Sequence, residues 1–109
     1  MNFKPNPLLY GASEDFFSTF RLAIRMKETV DYGLLSRSVE KMRVRYPYFC
    51  VFPNREGENL VLHYNKHPLP VFPDDRTVTL GSSESRGHLI SFGCKDKTIF
   101  IDASNYIAD

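Results

Sequence analysis

The stretch that decides the fold is His88-Leu89-Ile90-Ser91-Phe92-Gly93-Cys94-Lys95-Asp96-Lys97-Thr98-Ile99-Phe100-Ile101-Asp102. Two runs rich in β-branched and aromatic residues, 88–92 and 98–102, flank five residues of turn-forming composition. This pattern predicts two antiparallel strands joined by a turn over residues 93–97. It is the strongest hairpin signal of the chain, and a sheet is expected to be built on it.

Upstream, residues 20–27 alternate between apolar and mostly polar side chains. Phe20, Leu22, Ile24 and Met26 take the apolar positions. A period of two is typical of a strand with one buried face, so the stretch predicts a further strand of the sheet.

A helix is predicted from about residue 31 to residue 45. Asp31 is a suitable N-cap, and Pro47 ends the helical pattern. The apolar residues between them fall at i, i+4, i+7 and i+11, which lines one stripe of a helix. They are Leu35, Val39, Met42 and Tyr46.

The remaining segments predict short strands and connections. Residues 48–52 and 60–64 are expected to form a hairpin that turns at 54–57, and residues 66–75 a proline-rich extended connector. Residues 77–80 are expected to form a short edge strand and residues 81–87 a flexible loop. Residues 1–12 are expected to be an extended lead-in, and residues 13–18 a short helical turn. The predicted class is α+β, a mainly antiparallel or mixed sheet packed with one main helix.

Composition limits the function classes. The 109 residues are 42% hydrophobic with a net charge of +1, so they can build one core and offer no electrostatic case for nucleic-acid binding. No apolar stretch reaches the ~20 residues of a membrane span, and the N-terminus has no apolar signal core. Cys50 and Cys94 are isolated, which suggests buried, reduced side chains. A cytoplasmic protein is expected.

The histidines do not predict a metal site. His63 and His67 lie in or next to a predicted strand, where four residues span ~13 Å, too far for one ion. His88 follows a loop and is expected to be a surface or edge residue. No metal is therefore expected.

The C-terminal residues carry a resemblance to a known family. They read Phe100-Ile101-Asp102-Ala103-Ser104-Asn105-Tyr106-Ile107-Ala108-Asp109. Together with the strand at 20–28, the helix that ends in Arg45-Tyr46-Pro47-Tyr48-Phe49, and the hairpin split by Arg55-Glu56-Gly57-Glu58, this order resembles the chloramphenicol-acetyltransferase-like superfamily. That superfamily includes condensation domains and alcohol acetyltransferases, and its motif is His-His-x-x-x-Asp-Gly. The resemblance spans nearly all of residues 1–109, but only the N-terminal portion of a typical member.

The resemblance implies a fold and a reaction. The fold would be part of a two-layer sandwich, and the reaction would transfer an acyl group from acyl-CoA or a carrier protein's acyl-pantetheine to a hydroxyl or amine. In the family the second histidine is the general base and the aspartate is structural, pairing with an arginine. Asp109 matches that aspartate, Asn105 stands at the position of the base, and Ser104 at that of the first histidine. No bound cofactor is implied, since the thioester is a co-substrate.

Asn105 changes what the resemblance implies. An amide cannot hold a proton at neutral pH, and loss of a general base costs about 10²–10⁴ in rate. The chain is therefore expected to be inactive, as a fragment or a degenerate member. The expected partner is the missing C-terminal portion of the domain or a second copy in a homo-oligomer. The alternatives are a non-catalytic interaction module that self-associates, and an unrelated α+β domain in which Ser104 and Asn105 belong to a polar turn.

Overall fold

The computed structural model describes residues 19–104, which form an α+β fold of one α-helix and six strands. The elements are β1 (Thr19–Arg25), α1 (Tyr32–Arg45), β2 (Val51–Glu56), β3 (Asn59–Tyr64), β4 (Val71–Phe72), β5 (Ile90–Lys95) and β6 (Thr98–Ser104). Two short 3₁₀ turns cover Pro47–Phe49 and Ser83–Ser85. The lead-in and helical turn predicted over residues 1–18 lie outside the described residues.

The main sheet has four strands in the order β1-β6-β5-β4. β6 pairs antiparallel with both β1 and β5, whereas β4 pairs parallel with β5, so the sheet is mixed. The β2–β3 hairpin forms a separate two-stranded antiparallel sheet. In the main sheet Ile101 of β6 lies between Leu22 of β1 and Phe92 of β5.

The hairpin predicted over residues 88–102 is confirmed, but its turn is shorter than expected. The turn consists of residues 96 and 97, with Asp96 in the left-handed region at φ 53°. Gly93, predicted to begin the turn, lies inside β5 instead. A Cβ atom at Gly93 would come 2.5 Å from the backbone oxygen of Asp74, so glycine permits a close approach of two backbones there.

The helix prediction is confirmed at both ends. The Asp31 side chain accepts a hydrogen bond from the Leu34 N–H at 3.0 Å, and the helix ends before Pro47. Val39 on the buried stripe joins Ile90, Phe92 and Ala103 of the sheet in the core, with Leu35 and Met42 partly buried beside it. Tyr46, the fourth residue of the predicted stripe, is instead the C-cap and is exposed. Burial of the other three, rather than helix propensity, holds α1 on the sheet.

The second hairpin is confirmed, with shifted boundaries. Tyr48 and Phe49 belong to the 3₁₀ turn that Pro47 begins, and the hairpin turns at Gly57, where φ is 63°. The edge strand predicted at residues 77–80 is wrong, since no strand forms there. The edge is instead β4, inside the proline-rich connector, where the Pro70 carbonyl accepts a hydrogen bond from the Phe92 N–H at 3.0 Å.

The prediction that the first strand has a buried face is wrong for the described residues, because all seven residues of β1 are exposed. Phe20 lies directly opposite Ala103, and such residues project to the same face of a sheet. Ala103 packs with α1, so Phe20, Leu22 and Ile24 project to the helix side, 38%, 52% and 43% exposed. Helix α1 packs against β4, at the opposite edge of the sheet, and leaves these three side chains uncovered. We call them the β1 apolar row.

Candidate functional site at the end of the last strand

Ser104, one of the three predicted site residues, is the last residue of β6 and is fully buried. Its backbone N–H donates a hydrogen bond to the Leu89 carbonyl at 2.9 Å, which continues the β5–β6 pairing to the end of the strand. Asn105 and Asp109 lie outside the described residues. The geometry of the site therefore concerns Ser104 and the side chains around the end of β6.

A two-pronged ion pair lies two residues before Ser104. The Arg21 guanidinium donates to both carboxylate oxygens of Asp102, from Nε at 2.7 Å and from Nη2 at 2.8 Å. The same guanidinium donates to the backbone oxygens of Asp75 and Arg76, at 3.1 and 3.0 Å, and stacks 4.7 Å from the centre of the Phe100 ring. This ion pair thus joins β1, β6 and the loop at residues 75–76.

Asp102 is buried, so its charge requires the compensation that Arg21 provides. The hydrogen bond to Asp102 raises the pKa of Arg21 above its ordinary value, although desolvation opposes this shift. The resemblance implies an aspartate–arginine pair made by Asp109, whereas the pair seen here uses Asp102, inside the strand. No local pattern relates these two residues, which lie 81 positions apart in the sequence.

His88 is a second buried polar group close to the end of β6. Its Nε2 lies 2.8 Å from the His67 carbonyl oxygen, and a carbonyl can only accept, so Nε2 carries the proton. Nδ1 is then the acceptor nitrogen, and it has no hydrogen-bond partner among residues 19–104. Burial lowers the pKa of His88, the hydrogen bond to the His67 carbonyl opposes this shift, and the nearby positive charges, Arg86 and Arg43 among them, add to it.

The prediction that His88 is a surface or edge residue is wrong, because the side chain is completely buried. The loop at residues 81–87 folds over the His88 side chain and covers it. Ser85 in that loop is itself buried and donates from Oγ to the His88 carbonyl at 2.8 Å. The Asn65 amide donates to the Arg86 carbonyl at 2.8 Å and so ties the loop to the end of β3.

Next to the β1 apolar row, an open groove of about 760 Å³ separates the end of β1 from α1. Its apolar lining includes Met26, Leu34, Leu35 and Ile99. Met26 and Leu34 are exposed. The groove and the β1 apolar row together form an apolar surface that the described part of the chain does not cover.

Within residues 19–104 no three His, Cys, Asp or Glu side chains are grouped so that they could hold a metal ion. His63 instead lies 2.8 Å from a carboxylate oxygen of Glu56. Cys50 and Cys94 are free and buried as predicted, and burial raises the pKa of both thiols, which disfavours the reactive thiolate.

Over residues 19–104, the structure contains no helix with the length and apolarity needed to cross a bilayer. Comparisons of the chain with protein-family models, with curated proteins and with solved structures give no match.

Proposed function

We propose that this chain is the N-terminal portion of a condensation-type acyltransferase domain of the chloramphenicol-acetyltransferase-like sandwich class. The observation that carries the proposal is the buried end of β6. Ser104, which matches the first position of the family's motif, ends a strand that Asp102 and Arg21 fix to β1 two residues earlier. The order of strand, helix, hairpin and final strand supports the same proposal.

The proposed reaction of the complete domain moves an acyl group from a CoA or carrier-protein thioester to a hydroxyl or amine. The acceptor oxygen or nitrogen attacks the thioester carbonyl, the carbon–sulfur bond breaks, and the thiol leaves. The acceptor loses its proton to a general base at position 105. Asn105 cannot take that proton, so the proposal includes an inactive or strongly impaired site.

His88 does not supply the missing base in this proposal. A general base must come within hydrogen-bonding distance of the proton that it removes. The His88 side chain is fully enclosed and its Nε2 is committed to the His67 carbonyl, so a substrate hydroxyl has no access to it. Its side chain instead ties the start of the β5 segment to the connector at His67.

The experiment starts from the source gene, sequenced through codon 105 and beyond codon 109. The proposal expects an open reading frame that continues with a glycine codon. The complete protein and its N105H variant would then be compared for thiol release from acetyl-CoA with a panel of alcohols and amines. We expect N105H to be faster by about 10²–10⁴, because it restores the base.

A matched variant, N105Q, keeps an amide at the same position and should remain as slow as the unmodified protein. A stop codon directly after codon 109, or equal rates for N105H and N105Q, would contradict the proposal.

A second candidate function is a non-catalytic interaction module that self-associates. The observation in its favour is the exposed β1 apolar row, since contiguous exposed apolar surface marks interaction sites. Both candidates are compatible with a cytoplasmic location, which we propose from the two free, buried thiols.

A further inference from the structure

The outer edge of β1 has a defined pattern of backbone groups that find no partner strand among residues 19–104. β1 is the first strand of the sheet order and pairs only with β6 among the described strands. The Met26 N–H donates to the Lys97 carbonyl, in register with the β1–β6 pairing. In an antiparallel pair, alternate residues direct both backbone groups to the partner strand. The backbone N–H and C=O groups of Phe20, Leu22 and Ile24 therefore point toward β6. The backbone groups of the odd-numbered residues of β1 point away from β6, to the outer edge of the sheet.

We propose that this edge pairs antiparallel with β1 of a second copy of the chain, on a two-fold axis at Leu22. In this register, the numbers of any two residues that lie opposite each other add up to 44. Arg21 then lies opposite Ala23 of the second copy, so outward-directed backbone groups meet each other. The two four-stranded sheets become one continuous sheet. The inference rests on the second candidate function, the self-associating module, and specifies its surface and partner.

The side chains of β1 favour this register over its neighbours. Leu22 lies opposite Leu22 of the second copy, and Phe20 opposite Ile24, so the two β1 apolar rows form apolar cross-strand pairs. If the second strand shifted by two residues in one direction, Arg21 would lie opposite Arg21 of the second copy. If it shifted by two residues in the other direction, Arg21 would lie opposite Arg25 of the second copy. Like charges directly opposite each other are unfavourable. The proposed register alone pairs the whole strand without such a contact.

The two-fold axis gives a test of the register by disulfide formation. Residues 22 of the two copies form a non-hydrogen-bonded pair, whose Cα atoms lie about 4.5 Å apart, within the range a disulfide requires. L22C should therefore form a covalent dimer under mild oxidation. I24C is the matched control, because its two cysteines would lie roughly 13 Å apart along the strands. Cys50 and Cys94 are buried, and the unmodified chain serves as the background control.

Charge variants at Ala23 test the same register without a covalent bond. A23K puts lysine opposite Arg21 of the second copy and should weaken dimerisation about tenfold, while A23E should strengthen it. Sedimentation equilibrium over a range of concentrations measures both dissociation constants. The Ala23 side chain is exposed, so neither substitution removes a buried side chain.

The outcomes separate the possible occupants of this edge. A dimer with L22C cross-linking and without I24C cross-linking supports the proposal. A dimer in which L22C does not cross-link overturns the register and leaves the self-associating module intact. A monomer with exchange-protected Arg21 and Ala23 amides assigns the edge to another segment of the same chain. A monomer with unprotected amides leaves it to a different protein or to the remainder of the proposed acyltransferase domain, and both monomer results overturn the proposal.

Discussion

The buried carboxylate of Asp102 accepts two hydrogen bonds from Arg21, which also compensates its charge. Removing one partner of a buried pair leaves the other charge without compensation, which costs about 3–5 kcal/mol when burial is complete. Arg21 keeps some exposure, so we expect R21Q to lower the free energy of unfolding by about 2–3 kcal/mol. Urea denaturation measures this loss.

The matched control is R76Q, which removes a guanidinium from the exposed pair that Arg76 forms with Asp74. Exposed pairs contribute about 0–1 kcal/mol, so R76Q should change stability little. Equal losses for R21Q and R76Q would show that the Asp102 carboxylate does not depend on Arg21.

His88 makes the stability of the fold depend on pH. Its pKa in the folded chain is lowered, mainly by burial, below the value of about 6.5 of an unfolded histidine. As the pH falls through that value, the unfolded chain takes up a proton that the folded chain does not. The free energy of unfolding should therefore be highest above about pH 7 and decrease below about pH 6.5.

The measurement is urea denaturation at several pH values for the unmodified chain, H88Q and H63Q. H88Q should lose most of the slope between about pH 7 and about pH 5, even if it is less stable throughout. H63Q is the control for the loss of a histidine that lies outside the buried core. An unchanged slope in H88Q would assign the pH dependence to other groups.

Among the elements, β5 contains a glycine that leaves no space for a side chain. Gly93 lies opposite Phe72 of β4, and an added Cβ would meet the Asp74 backbone oxygen. We expect G93A to destabilise the fold by about 1–3 kcal/mol, because a backbone atom cannot move aside as a side chain can. Thermal unfolding measures the effect.

Gly33 is a matched control for this substitution. A Cβ at Gly33 would lie 3.2 Å from the Asp31 Oδ1 atom that caps the helix and 3.6 Å from Arg37 Nη1, so it would meet side-chain atoms and no backbone atom. We expect G33A in α1 to be less destabilising than G93A, because a small shift of the Asp31 cap relieves the contact while alanine favours the helix. A loss in G33A as large as that in G93A would contradict the steric explanation.

The elements that sequence analysis predicted well are those determined by local signals. Asp31 and Pro47 limit α1, and the two hairpins depend on strand patterns next to short turns. β4 was not predicted because it has two residues and forms through a parallel pairing with β5, which is distant in sequence. Residues 77–80 have a strand-like composition but no strand beside them to pair with.

At the candidate site, too, features determined by local sequence differ from features that depend on contacts between distant residues. A last strand was predicted over residues 98–102 with Ser104 in the corner after it, whereas β6 continues through Ser104. The burial of His88 was not predicted, since it depends on how the loop at residues 81–87 folds against Asn65. The Arg21–Asp102 pair depends on the β1–β6 register, which local patterns do not determine.

At the scale of the whole molecule, α1 decides which part of the sheet is covered. It packs against β4 at one edge, and β1 at the other edge keeps its apolar side chains exposed. The alternation in β1 correctly predicted a strand. Whether the apolar face of that strand is buried depends on the tertiary packing of other elements against it. A period of two shows which side chains share a face and does not show what lies on that face.

The pairing of β1 with β6 also has a consequence for synthesis of the protein. β1 is the first described strand to leave the ribosome, and its partner β6 is the last. The β2–β3 and β5–β6 hairpins can close locally, but β1 must wait for a loop of more than seventy residues to close. During that wait Phe20, Leu22 and Ile24 are exposed on a strand without a partner. A nascent chain that stalls before β6 would therefore be a ready substrate for chaperones.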